Sequence, residues 1–189
     1  MKPERLNAFT DGIMAVAITI IVLELPIPKQ PGLKAIIPEL PLLGLYALAF
    51  TKVGIYWLNH HHMMQAVKKV DGRVLLTNLL LLFWLSLIPF VIRWVGEAGI
   101  TRDTVAAFGT IMLLSALSYA FLKRALVRCE GEESLVAKAT GRDRKGRLSL
   151  IAYAVALAIA FVSPLAAILI YIAVSLMWLI PDRRFEALE

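Results

Sequence analysis

The chain holds a single cysteine, Cys129, among its 189 residues. One thiol makes no intrachain disulfide and no Cys-based zinc or redox motif, so Cys129 reads as inert. Histidine is almost as scarce, and its three copies, His60, His61 and His62, stand in one run. No Ser-His-Asp arrangement, phosphate-cradling glycine loop or HExxH pattern is present, so no enzyme and no cofactor are expected. Charged residues make up 18% of the chain, with a net charge of +6. That balance invites a nucleic-acid reading, but the basic residues lie between apolar runs, where they serve as topology signals. Neither DNA nor RNA is an expected partner.

What the chain has in excess is apolar surface. Hydrophobic residues make up 59% of it and the mean hydropathy is +0.74, well above the roughly half-apolar composition of soluble domains. An all-α integral membrane protein follows, with the lipid bilayer as its surroundings. Six apolar spans are predicted, at about 6–25, 40–64, 74–95, 104–125, 147–162 and 165–180. Each reaches roughly 25 to 35 Å at 1.5 Å per residue, which matches the hydrocarbon thickness. Residues 1–189 therefore read as one six-helix transmembrane domain, with a cytoplasmic linker at about 126–146. The last two spans are joined by Ser163-Pro164, as a tight hairpin or as one broken helix. Pro26, Pro28 and Pro31, followed by Pro38 and Pro41, stop the first helix and form an outer connection. The first span is longer than a signal-peptide core and lacks a small-x-small cleavage site, so it reads as retained. No internal repeat is evident.

With the N-terminus inside, fifteen Lys and Arg residues fall on the inner side: the tail, the Lys68-Lys69-Arg73 turn, the 123–147 loop and Arg183-Arg184. Four fall outside, Lys29, Lys34, Arg93 and Arg102, while Lys52 lies within a span. The bias predicts a multi-pass protein of the plasma or cell inner membrane with both termini cytoplasmic.

The first span opens on a charged cluster. A carboxylate facing lipid costs roughly 2.5 to 3.5 kcal/mol, so Asp11 is expected to face protein or water and to have a partner. On a helix Arg5, Phe9 and Gly12 share one face, and Arg5 and Asp11 do not form an i,i+4 pair. Each is expected to reach a neighbouring helix, as a structural clamp, a gating joint or both. Beyond this cluster Val16, Thr19, Ile20 and Leu23 form a stripe at helical spacing. Taken alone, such a stripe is a buried packing face; around a symmetry axis it becomes a set of rings that closes a pore by steric contact and dewetting.

At the end of the second span the three histidines point about 100° apart, which disfavours a shared metal. One imidazole is expected to turn inward toward Asp11 or Arg5, as a proton-sensitive contact or a plain hydrogen-bonding partner. Asn78 in the third span is a candidate for the same network, and Pro89 is expected to kink that span. The tryptophans read as interfacial anchors or packing. Glu24 is either an attractor of cations at the outer end or a solvated helix terminus. Lys52, without an acidic residue at its depth, either snorkels or faces a water-filled crevice. The potassium-filter loop sequence is absent, so in a channel side chains would have to select the ion.

Arg5-x-x-x-Phe9-Thr10-Asp11-Gly12, Trp57-x-Asn59-His60-His61, Asn78 and Pro89-Phe90, on six spans, resemble the bacterial branch of the transmembrane protein 175 family of potassium channels. Thr10 stands where that family commonly has serine, so a hydroxyl is kept. The resemblance implies a homotetramer whose first helices line a pore without a re-entrant filter loop. It implies the narrowest apolar ring at Val16, a hydroxyl ring at Thr19 and further apolar layers at Ile20 and Leu23. Arg5, Phe9, Thr10, Asp11, His60, His61 and Asn78 become a structural and gating network, and the permeant potassium ion the sole metal. Val16 is smaller than the isoleucine or leucine typical of that ring. A proton-coupled secondary transporter using Asp11 and a histidine is the alternative function. A non-conducting membrane scaffold is a third.

Overall fold

The computed structural model describes residues 2–28, 31–141 and 143–179. Lys29, Arg142, Arg183 and Arg184, which contribute to the charge bias, lie outside them. The described chain is all-helical. Helix α1 spans Glu4–Leu23 and α2 spans Leu40–Gln65. Then come α3 (Gly72–Ser86), α4 (Ile88–Ala98) and α5 (Arg102–Glu130). A short α6 (Leu135–Thr140) precedes α7 (Arg144–Ala160) and α8 (Pro164–Leu179).

Local chemistry sets these boundaries. Asp71 caps α3 by accepting from the Val74 amide at 2.9 Å, and Thr101 with Thr104 forms a reciprocal cap on α5. Gly99 and Gly131 end α4 and α5 at φ 77° and 100°, a region that favours glycine. Between α1 and α2 the proline-rich connection includes a 3-10 helix at Leu33–Glu39 running into α2, so this connection is partly helical.

The third predicted span is two helices rather than one kinked helix. Pro89 has no N–H to give, and its ring excludes the carbonyl one turn back, so the helix breaks at Leu87 and restarts with Pro89 in the first turn of α4. Within the stretch read as a linker, at about 126–146, α5 continues to Glu130 and α6 spans Leu135–Thr140.

Glu4–Leu23, Leu33–Gln65, Gly72–Ala98 and Arg102–Glu130 are long and apolar enough to cross a membrane. The last two helices are shorter, 17 and 16 residues. They fold back on each other: Trp178 Nε1 donates to Ser149 Oγ at 2.8 Å and the Tyr153 and Tyr171 rings lie 6.2 Å apart. Ser163-Pro164 therefore turns a hairpin and does not interrupt one long helix.

Helix α5 is the hub, packing against α3, α4, α7 and α8, while α1 lies against α2, α3 and α4. Small residues let the hub helices approach, since van der Waals packing replaces the hydrophobic drive in lipid. Ala156, Ala160 and Ala167 are fully buried. Gly109 on α5 receives Tyr171 of α8, and a Cβ there would fall on the tyrosine hydroxyl. Gly109→Ala is expected to destabilise the protein by about 1–3 kcal/mol through overpacking. Thermal unfolding in detergent checks this, and adding Tyr171→Phe should restore part of the loss by removing the clashing oxygen. A Gly109→Ala protein that melts with the parent would contradict this packing.

Candidate ion-pathway helix and its bracing network

Helix α1 has two unlike faces. Leu6, Thr10, Met14, Ala17 and Ile21 are buried against the bundle, at the spacing of a single helical stripe. The other face is bare: Phe9 is 50% exposed, Val16 56%, Ile20 37% and Leu23 79%. Arg5, Asp11, Gly12 and Thr19 are exposed as well. The reading of the Val16, Thr19, Ile20 and Leu23 stripe as a buried packing face therefore fails within the protomer. The stripe faces away from the bundle. Thr19 Oγ1 donates to the Val16 carbonyl at 2.9 Å, which turns the hydroxyl proton inward and leaves the oxygen lone pairs free to accept.

Three buried polar side chains hold the inward face. Asn78 Nδ2 on α3 donates to Thr10 Oγ1 at 2.8 Å, and Asn78 Oδ1 lies 3.0 Å from His60 Nε2 on α2. The amide oxygen only accepts, so His60 carries its proton on Nε2. Thr10, His60 and Asn78 are 0%, 1% and 0% exposed. One chain of side-chain hydrogen bonds thus ties α1, α3 and α2 together. In an apolar surrounding a satisfied network of this kind fixes helix register, because slippage would orphan each polar group.

Asp11 makes a second tie. Its carboxylate accepts from Trp57 Nε1 of α2 at 2.9 Å, and His61 stacks on Trp57 with ring centroids 5.6 Å apart. His61 also lies 3.1 Å from Gln65. The expectation that an imidazole turns toward Asp11 or Arg5 is corrected here: His60 turns inward to Asn78, and the indole of Trp57 takes Asp11. The indole was visible in the motif, yet an anchor reading hid its role as donor. Arg5 and Phe9 are not joined to this network, and among the described residues neither Arg5 nor Asp11 forms an ion pair. No group of His, Cys, Asp and Glu side chains among the described residues is arranged to hold a metal.

At the other end of α1, Glu24 lies 3.9 Å from Arg93 Nε, which also binds Glu97 at 3.1 Å. Glu24 is therefore neither a bare cation attractor nor a merely solvated terminus. Lys52 does not snorkel: it is 2% exposed and donates to the Tyr153 hydroxyl at 2.6 Å. Its side chain lines a cavity open at one end.

The geometry defines a class, an all-helical multi-pass membrane protein whose first helix is braced on one face and bare on the other. Residues 5–89 match the family described as the endosomal/lysosomal potassium channel TMEM175. That stretch begins at Arg5 and ends at Pro89, the first and nearly the last residues of the motifs. A potassium channel of Chryseobacterium sp. (strain P1-3) is 44% identical over 186 residues, covering 98% of this chain and 97% of that one. A potassium channel of Streptomyces collinus is 29% identical over 123 residues, covering 61% of this chain and 60% of its own. The fold is similar to the crystal structure of a lysosomal potassium-selective channel TMEM175 homolog from Chamaesiphon minutus. The two superpose with a TM-score of 0.75 at 23% identity, covering 93% of this chain and 95% of that one. The chain belongs to the TMEM175 family.

Proposed function

We propose that the protein is a potassium-favouring cation channel that conducts passively through a homotetramer of six-span protomers. The observation that carries this reading is the bare apolar stripe of α1 in a chain 44% identical along its length to a named potassium channel. One apolar helix encloses no path, so a pore needs several copies around an axis. A hollow of about 430 Å³ beside α1, between Phe9, Val16 and the α3–α4 break at Ser86 and Pro89, gives a neighbouring copy a place to pack.

In that assembly Val16 forms the hydrophobic constriction, with Ile20 and Leu23 as further apolar layers. Thr19 presents a ring of hydroxyl oxygens whose protons are already committed to backbone. A passing cation finds acceptors there and no donors. Selection rests on side chains, with no re-entrant filter loop. Thr10, Asn78 and His60, with Asp11 on Trp57, set the rotation of α1 that keeps this stripe on the axis; Arg5, Phe9 and His61 flank the brace. The positive charge of the α2–α3 turn and of the 123–147 region supports cytoplasmic termini and a place in the plasma or cell inner membrane.

Purified protein in potassium-loaded liposomes should dissipate the gradient without a co-substrate, and should do so faster for potassium than for sodium. Flux that saturates, is electrically silent and strictly requires a counter-ion would replace the channel by a proton-coupled transporter. Absence of any flux would favour a scaffold.

A further inference from the structure

A cavity of about 650 Å³ opens between α2, α5, α7 and α8. It uses the face of α2 that carries Lys52, Tyr56 and Asn59, a different face from the one that carries Trp57 and His61. The seven steps from Lys52 to Asn59 measure roughly 10 Å along the helix, so the cavity runs from within the bundle toward the end that holds the α5–α7 connection.

Its charges are unbalanced. Among the described residues the solvent-reached Lys123, Arg124, Arg128 and Arg147 line it against Asp143 and Glu132, with Lys52 buried at its inner end. Asp143 is engaged with Lys123. Among the described residues no carboxylate forms an ion pair with Arg124, Arg128, Arg147 or Lys52. Arg124 and Arg128 are one turn apart on α5, so two like charges share a face, and Arg147 from the first turns of α7 lines the same space. All three are exposed, whereas Lys52 is buried, with its ammonium 5.0 Å from the Tyr153 ring centroid. The walls between are largely aromatic and apolar, with Tyr119, Leu150 and Trp178 among them.

Guanidinium forks match the oxygens of a phosphate, and these three have no carboxylate ion-pair partner among the described residues. We propose that this cavity binds an organic phosphate, its anionic group between Arg124, Arg128 and Arg147 and its uncharged part along the aromatic wall toward Lys52. An anionic phospholipid headgroup and a soluble phosphate ester share that chemistry.

Native mass spectrometry of the intact protein in detergent tests it, with titrations of phosphatidylglycerol and of phosphatidylcholine, whose phosphate is neutralised by choline. In parallel, glycerol 3-phosphate is added in thermal-unfolding runs. The site predicts either at least tenfold tighter retention of phosphatidylglycerol than phosphatidylcholine, which assigns a lipid, or a rise in Tm with glycerol 3-phosphate, which assigns a soluble ester. The triple replacement Arg124→Gln, Arg128→Gln, Arg147→Gln should abolish whichever effect is seen. Arg128→Gln alone should weaken it several-fold and guards against misfolding of the triple variant. Absence of both effects in the parent protein, or their persistence in the triple variant, overturns the site.

Discussion

Replacing Val16 by asparagine is expected to raise potassium flux through reconstituted protein about tenfold and to weaken the preference for potassium over sodium. An apolar ring blocks ions because water leaves a narrow greasy segment and an unhydrated ion does not follow. Amide groups in its place hydrate the segment, and lowering the barrier by about 1.4 kcal/mol suffices for a tenfold change in rate. Val16→Leu should act in the opposite direction by narrowing the ring. Val16 is 56% exposed in the protomer, so neither change removes packing within the chain and Tm should stay near that of the parent. A lipid-facing Val16 predicts the reverse pattern. An amide turned to hydrocarbon is left without partners, so yield and Tm would fall while flux stayed the same. That pair of results would remove Val16 from the pathway.

The spans and the brace were legible to different degrees, for physical reasons. Long apolar runs with polar punctuation announce membrane helices directly, which is why α1, α2 and α5 stand within a few residues of their predicted positions. Pro89 signalled a disturbance, but whether a proline kinks a helix or splits it depends on the neighbours, and here α4 packs separately on α1 and α5. For the site, residue types and depth pointed to a network holding Asn78 and one of the three histidines, since buried polar groups in lipid must find one another, but not to which histidine, and Thr10 entered only through the family resemblance. Depth does not say which donor meets which acceptor. Asp11 met Trp57 rather than a histidine, an indole N–H serving as the neutral donor to the carboxylate. Lys52 and Tyr153, 101 positions apart, had no shared pattern in the sequence; their pairing depends on how α7 packs on α5 and α8, with α8 in turn on α2.

The sharpest test of the brace is Asn78→Leu, for which we expect a loss of about 1–3 kcal/mol, the cost of leaving buried polar partners unsatisfied. Leucine shares asparagine's branched four-atom outline, so the change removes the hydrogen bonds while keeping the shape of the side chain. Thr10 has a fallback, because a helical hydroxyl can bond a carbonyl one turn back. His60 has none of equal quality, since its Nε2 proton is buried against the lost oxygen. On the scale of about 2–4 °C per kcal/mol for a chain of this size, Tm should fall by about 2–12 °C. Replacing both ends as well, with Thr10→Val and His60→Leu, should recover much of the loss, because exchanging all partners for apolar groups leaves nothing orphaned. The same variants separate the two roles open to the brace. A clamp lowers Tm and leaves flux per folded channel unchanged, whereas a gating joint changes both, because freeing α1 to rotate carries Val16 away from the axis. Strict additivity of the three substitutions would deny that Thr10, Asn78 and His60 act as a unit.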